Sequence, residues 1–162
     1  MKLIHSHNDY WNSLPFYTAT SQGANMLEVD ILYFGGKLRL SHSWKPCSCM
    51  YFGELEYTYL LPMQLFLKAN SESELWFYIE YKSGSTKINS ILYDLLLKYK
   101  HPRLHYTLSA LNNTWYQKPR HVQAQQFMDL YKDELGLTWE ADLETQYEYK
   151  RRDYFIKKWW MF

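Results

Sequence analysis

Residues 25–32 read N-M-L-E-V-D-I-L, an apolar run that carries two carboxylates, and this segment decides the fold. Side chains two apart in a strand lie on the same face, so Glu28 and Asp30 project together. The apolar flanks argue against an edge strand and favour a buried one, as in a parallel sheet. A second run, L-W-F-Y-I-E-Y at residues 75–81, places Glu80 near the end of another apolar strand.

Strand and helix patterns alternate along the rest of the chain. Strands are predicted at residues 2–5, 25–32, 37–41, 75–81, 104–108 and 137–141, and helices at 13–23, 57–69, 88–99, 120–135 and 143–162. This alternation is typical of an α/β fold with a parallel sheet. A complete eight-stranded barrel usually needs about 250 residues, more than the 162 present. We therefore predict a truncated or incomplete TIM-type (β/α) barrel, with the active site at the C-terminal ends of its parallel strands.

The whole chain is predicted to form a single domain, residues 1–162, in which residues 143–162 are a C-terminal aromatic helix. A partial barrel leaves strand edges and apolar surface uncovered. The tail carries more aromatic area than one helix face normally buries. We therefore predict a homodimer or a higher assembly, with residues 154–162 at the interface or folded across the open edge.

Composition limits the partners of this chain. Eighteen Lys and Arg residues balance 17 Asp and Glu residues, so no global field attracts nucleic acid or an anionic membrane. We expect neither a membrane-spanning run nor a signal peptide from the sequence pattern. Cys47 and Cys49 lie so close that a disulfide between them would be strained, and reduced thiols in a cytoplasm are expected.

Polar side chains collect where the predicted strands end, the usual place for function in parallel α/β folds. In addition to the three carboxylates, these residues are His5, His7, Asn8, His42 and Lys82. Buried carboxylates this close repel one another unless a cation or a proton shares them. Mg²⁺ or Ca²⁺ would resolve that repulsion with oxygen ligands. Two histidines beside a cation suit phosphodiester cleavage, one as general base and one as general acid.

These segments resemble the PLC-like phosphodiesterase superfamily, which includes glycerophosphodiester phosphodiesterases and venom-type sphingomyelinases D. I-H-S-H-N-D-Y at 4–10 and G-A-N-M-L-E-V-D-I at 23–31 look like its opening. K-L-R-L-S-H-S-W at 37–44 resembles its second histidine segment, and H-S-W-K-P-C-S-C at 42–49 is similar to the cysteine-containing catalytic loop of the sphingomyelinase D branch. Y-I-E-Y-K at 78–82 resembles the strand that supplies a third acidic ligand and a lysine.

The resemblance covers roughly the first half of the chain and implies a role for each candidate residue. His5 and His42 would be the acid/base pair, with His7 as a competitor for the role of His5. The metal ligands for Mg²⁺, with Ca²⁺ as an alternative ion, would be Glu28, Asp30 and Glu80. Substrate phosphate contacts would come from Lys82 and Asn8.

The sequence therefore predicts a Mg²⁺-dependent phosphodiesterase, with lipid metabolism as its expected setting. Its substrate would be a small phosphodiester: a glycerophosphodiester, a lysophospholipid headgroup or a nucleotide-like diester. The alternative is a catalytically weak or inactive protein that binds a phosphorylated ligand on the same scaffold. The short barrel favours this alternative, whereas a pair of histidines is unnecessary for binding alone.

Overall fold

A computed structural model describes residues 2–45, 47, 50–110 and 118–139, and the backbone of 148–153. The strands are β1 (Lys2–His7), β2 (Met26–Phe34), β3 (Lys37–Leu40), β4 (Leu75–Tyr81), β5 (Leu104–Ser109), β6 (Leu137–Trp139) and β7 (Glu148–Asp153). The helices are α1 (Tyr17–Ser21), α2 (Leu61–Ala69), α3 (Lys87–Lys98) and α4 (Lys118–Leu135). Short helical turns occupy Asp9–Trp11, which is a 3₁₀ turn, and Glu56–Leu60, which is a π-helical turn.

All seven described strands belong to one sheet, in the order β6-β5-β4-β2-β1-β7, with β3 paired to β2. The β2–β3 pair is antiparallel, and the other pairs are parallel. The sheet curls into a half-barrel, so the predicted α/β class with a parallel sheet is confirmed. The half-barrel agrees with a truncated barrel, while its relation to the TIM type stays a prediction.

The two faces of the sheet bury different kinds of side chain. On one face, apolar residues of the strands pack against the helices; they include Leu27, Val29, Ile31, Phe77, Ile79 and Leu108 from the sheet and Met63, Leu92 and Phe127 from the helices. Each such side chain contributes about 1.5–3 kcal/mol by leaving water. The alternate residues of β2 and β4 share the concave face, where Leu3, Met26, Trp76 and Tyr78 form a smaller apolar cluster. The concave face is therefore the place where polar side chains of the strands can meet.

The helix predicted for residues 143–162 is wrong over Glu148–Asp153. This segment is a strand that pairs with β1 along its whole length, from Lys2–Glu148 to His7–Asp153. The free edge of β1 offers a row of N–H and C=O groups, and this long-range pairing overrides the local helical spacing. The other residues of 143–162, including the aromatic residues of the predicted interface, lie outside the described residues.

Smaller differences separate the predicted elements from the structure. The helix expected at 13–23 is limited to α1, because Phe16 just before it has a positive φ of 68°. Its left-handed backbone cannot belong to a right-handed helix. Residues 140–141 of the last predicted strand lie outside the described part of the chain. Among the described residues, no helix combines the length and the apolar character needed to cross a membrane.

Candidate functional site

The three predicted carboxylates converge on the concave face of the half-barrel. Asp30 on β2 lies beside Glu80 on β4 in the parallel register, and Glu28 precedes Asp30 by two residues on the same face. One oxygen from each lies within 4.8 Å of the others, and all three side chains are buried. Oxygen donors at this spacing fit a hard divalent cation such as Mg²⁺ or Ca²⁺.

Lys82 is the cation that the chain itself places in this cluster. Its Nζ lies 3.1 Å from Asp30 Oδ1 and 2.5 Å from Glu80 Oε1, and its side chain is only 4% exposed. Burial raises the pKa of Glu80; the Lys82 ammonium opposes this effect and the Asp30 carboxylate adds to it. One ammonium among three carboxylates leaves two negative charges, which a divalent cation would balance.

Tyr10 contacts the carboxylate oxygen of Asp30 that Lys82 does not bind. Its hydroxyl donates a hydrogen bond to Asp30 Oδ2 at 2.5 Å and lies 3.2 Å from Asn8 Oδ1. Burial, followed by the nearby Asp30 carboxylate, raises the pKa of Tyr10 well above its ordinary value, so the hydroxyl stays a donor. Tyr10 is a site residue that the sequence pattern did not predict; its place three residues after His7, which ends β1, is the signal that points to it.

The two histidines of β1 lie at different depths. Nε2 of His7 is 3.1 Å from Glu28 Oε2, and Nε2 of His5 is 3.9 Å from the same oxygen. The side chain of His7 is 25% exposed, whereas that of His5 is 3% exposed. Because β1 pairs with β2 through His5 and Met26, His7 is level with Glu28 and His5 lies one layer lower. The structure brings both to Glu28, with His7 nearer the opening.

His42 and Asn8 meet at a cavity beside the carboxylates. The exposed His42 lies two residues after β3, and both residues line a cavity of about 340 Å³. The backbone N–H of Asn8 donates to Glu28 Oε2 at 2.7 Å, which ties the cavity wall to the cluster. The structure thus gathers every residue predicted for the site around one end of the half-barrel.

Asp9 braces the turn that presents Asn8 and Tyr10. This fully buried carboxylate accepts hydrogen bonds from the Tyr59 hydroxyl at 2.7 Å and the Phe16 backbone N–H at 2.6 Å. It also accepts hydrogen bonds from the side chains of Ser6 and Asn12. Asn8 has a positive φ of 51°, an uncommon conformation that needs support from its surroundings.

Asp9→Ala is expected to lower the free energy of unfolding by at least about 3 kcal/mol. The change leaves the Tyr59 hydroxyl and the Phe16 N–H buried without their acceptor, and bonds to charged groups contribute about 1.5–3 kcal/mol each. Urea denaturation would measure the loss. Asp129→Ala on the exposed surface of α4 is the control, expected within about 0.5 kcal/mol of the parent. Equal stability of the two variants would contradict the bracing role.

The expectation of reduced thiols is wrong for Cys47. Cys47 is disulfide-bonded, and its partner lies outside the described residues. Because disulfides are rare in a reducing cytoplasm, Cys47 no longer supports the predicted cytoplasmic location, which stays a prediction.

Comparisons with known proteins point to one family. A family model described as the AIM6-like phosphodiesterase domain matches residues 1–87. The chain is 30% identical over 115 residues to Altered inheritance of mitochondria protein 6 of Lachancea thermotolerans, covering 59% of this chain and 27% of that protein. It is 42% identical over 45 residues to an Altered inheritance of mitochondria protein 6 homolog of Arthroderma benhamiae, covering 24% of this chain and 14% of that protein. No solved structure matches the chain.

The matched residues 1–87 contain all the candidate site residues, from His5 to Lys82. The description of this family supports the general prediction of a phosphodiesterase. It does not extend to the glycerophosphodiester phosphodiesterases or the sphingomyelinases D, which the sequence also resembles. The aligned segments span 27% and 14% of the two relatives, so the chain corresponds to a limited part of each.

Proposed function

The chain belongs to the AIM6-like phosphodiesterase domain family, and from this membership and its site we propose that it hydrolyses a small phosphodiester with a divalent cation. The observation that carries the proposal is the convergence of three buried carboxylate oxygens within 4.8 Å, next to histidines and a lysine. Three buried acids are costly to hold together. A divalent cation bound in a phosphodiesterase site would offset the repulsion among these carboxylates.

We expect Mg²⁺ as the ion, with Ca²⁺ as the alternative, held by Glu28, Asp30 and Glu80. When bound, the ion would polarise the phosphoryl group and offset its charge. Tyr10 keeps Asp30 oriented through its hydrogen bond. Lys82, which is ion-paired with Asp30 and Glu80, is the first proposed phosphate contact. Asn8 is the second proposed phosphate contact.

The proposed acid/base pair consists of His42 and one histidine of β1. One imidazole would take a proton from the attacking nucleophile, and the other would protonate the leaving oxygen. The sequence resemblance favours His5 as the partner, whereas exposure favours His7. A general base must come within hydrogen-bond reach of its proton, and the 25% exposure of His7 allows that more readily than the 3% of His5.

The proposed substrates are a glycerophosphodiester, a lysophospholipid headgroup or a nucleotide-like diester. The test is turnover of this panel by the purified chain, with added Mg²⁺ and with EDTA in its place. Hydrolysis that requires the ion would support the proposal. Binding of Mg²⁺ without turnover of any substrate would contradict it and favour the alternative, a protein that only binds a phosphorylated ligand.

We further propose that the chain self-associates. Among the described strands, β6 ends the sheet on one side, and a partial barrel leaves such an edge open to pairing. Light scattering at tens of micromolar is expected to give the mass of a dimer or a larger assembly. A strictly monomeric mass at that concentration would contradict self-association and leave the edge covered within one chain.

A further inference from the structure

The cavity beside the carboxylate cluster has a lining of consistent chemistry. One of its residues is a lysine, Lys45, one is the imidazole His42, and three are neutral and polar, Asn8, Ser41 and Ser43. Two aromatic side chains, Trp11 and Phe52, complete the described lining. None of the described lining residues carries a carboxylate. A cavity with a lysine and no acid favours an anionic ligand.

Lys45 is held in place through its backbone. Its N–H donates to the Tyr51 hydroxyl at 3.0 Å, and its carbonyl accepts from the same hydroxyl at 2.9 Å. Tyr51 is buried, and its ring packs 5.1 Å from that of Phe34. A fixed backbone limits the positions that the Lys45 ammonium can reach, which reduces the entropy cost of binding a ligand there.

Two other lysines of the chain have their charge paired with a carboxylate. Lys37 and Lys98 each form an ion pair with a glutamate at 2.7 Å. No carboxylate within the described part of the chain pairs with Lys45. The ammonium of Lys45 is therefore available to a ligand in the cavity. The three carboxylates of the site are not part of the cavity lining, and one of them, Glu28, accepts the backbone N–H of Asn8.

We propose that this cavity binds the alcohol portion of the substrate and that Lys45 selects a portion with its own negative charge, such as a carboxylate or a second phosphate. The inference rests on the proposed function, because it places the phosphate to be cleaved at the carboxylate cluster. Asn8 lies between the two places: its backbone N–H bonds Glu28, and the residue also lines the cavity. The aromatic pair supplies apolar walls for the carbon chain.

A cationic headgroup is the competing ligand chemistry. Trp11 and Phe52 could attract a quaternary ammonium through their ring faces. In a cavity of about 340 Å³, however, the ammonium of Lys45 would lie close to that headgroup and repel it. The cavity is therefore expected to prefer an anionic group over choline.

Two chromogenic substrates of matched size test this preference. Both are 4-nitrophenyl phosphodiesters, and their second alcohol is 3-hydroxypropionate in one and choline in the other. The parent protein is expected to have the higher kcat/KM for the hydroxypropionate ester. Lys45→Met should lower that value by about 10-fold or more, since a charge-assisted contact is lost. The same variant should leave the choline ester within about 2-fold of the parent or improve it.

Lys68→Met, at an exposed position on α2, is the matched control and should leave both substrates unchanged. Lys45→Glu should reverse the preference. Circular dichroism checks that each variant is folded. If Lys45→Met hydrolyses both esters in the same ratio as the parent, the inference is overturned while the proposed hydrolysis stands.

A binding measurement separates this inference from the proposed function. Calorimetry with 3-phosphonopropionate and with phosphocholine needs no turnover. Binding of 3-phosphonopropionate that Lys45→Met weakens about 10-fold would support the anion site even if neither ester is hydrolysed. Equal binding of both probes by the parent, or no loss in Lys45→Met, would overturn it.

Discussion

Asp30→Asn is expected to weaken Mg²⁺ binding by more than about 100-fold and to abolish Mg²⁺-dependent turnover. Asp30 is the central member of the proposed metal site: it is fully buried, with Oδ1 facing Lys82 and Oδ2 accepting the Tyr10 hydrogen bond. Asparagine keeps the shape but removes the charge. Loss of a partner that only orients a metal ligand already costs about 10–100-fold in affinity, so loss of a ligand should cost more. Calorimetry on the metal-free protein measures the effect.

The same chemical change at an exposed position is the control for Asp30→Asn. Asp94→Asn on α3 should bind Mg²⁺ like the parent. Because Asp30→Asn also removes an ion pair, its folding must be checked by circular dichroism, and Glu80→Gln provides a second variant at the cluster edge. A folded Asp30→Asn protein that binds Mg²⁺ with the affinity of the parent would show that the carboxylate cluster is not the metal site.

The convergence of the carboxylates could be predicted from the sequence because it depends on two regular geometries. Residues two apart in a strand share a face, which groups Glu28 with Asp30. Buried parallel strands then bring their C-terminal ends to one edge, which adds Glu80. The structure has this arrangement, with Asp30 beside Glu80 in the register.

Other features could not be predicted, because they depend on contacts between segments distant in the sequence. The pairing of β7 with β1 joins residues almost 150 positions apart, and no local pattern carries that information. The bond from Tyr59 to Asp9 spans 50 positions. Without knowledge of that bond, the sequence does not show that Asp9 braces the turn after β1. The different depths of His5 and His7 likewise follow from the register of β1 against β2, which is set by the whole sheet.

The register of β1 against β2 also determines which histidine a substrate can reach. His42→Ala and His7→Ala are each expected to lower kcat/KM by about 10²–10⁴-fold, the usual contribution of a general acid or base. His5→Ala should reduce catalysis less and lower the free energy of unfolding more, because His5 is buried against Glu28 and Tyr78. Steady-state kinetics on a chromogenic phosphodiester and urea denaturation measure these two effects separately.

His101→Ala is the control for the histidine series and should keep the activity of the parent. His101 lies just before β5, at the opposite end of the parallel strands from the site. A dead His5→Ala protein beside a fully active His7→Ala protein would assign the base to His5, as the sequence resemblance favours. It would also mean that the reacting proton is reached from inside the half-barrel, one layer below Glu28, because His5 is only 3% exposed. Full activity in both β1 variants would instead contradict the pairing of His42 with a histidine of β1.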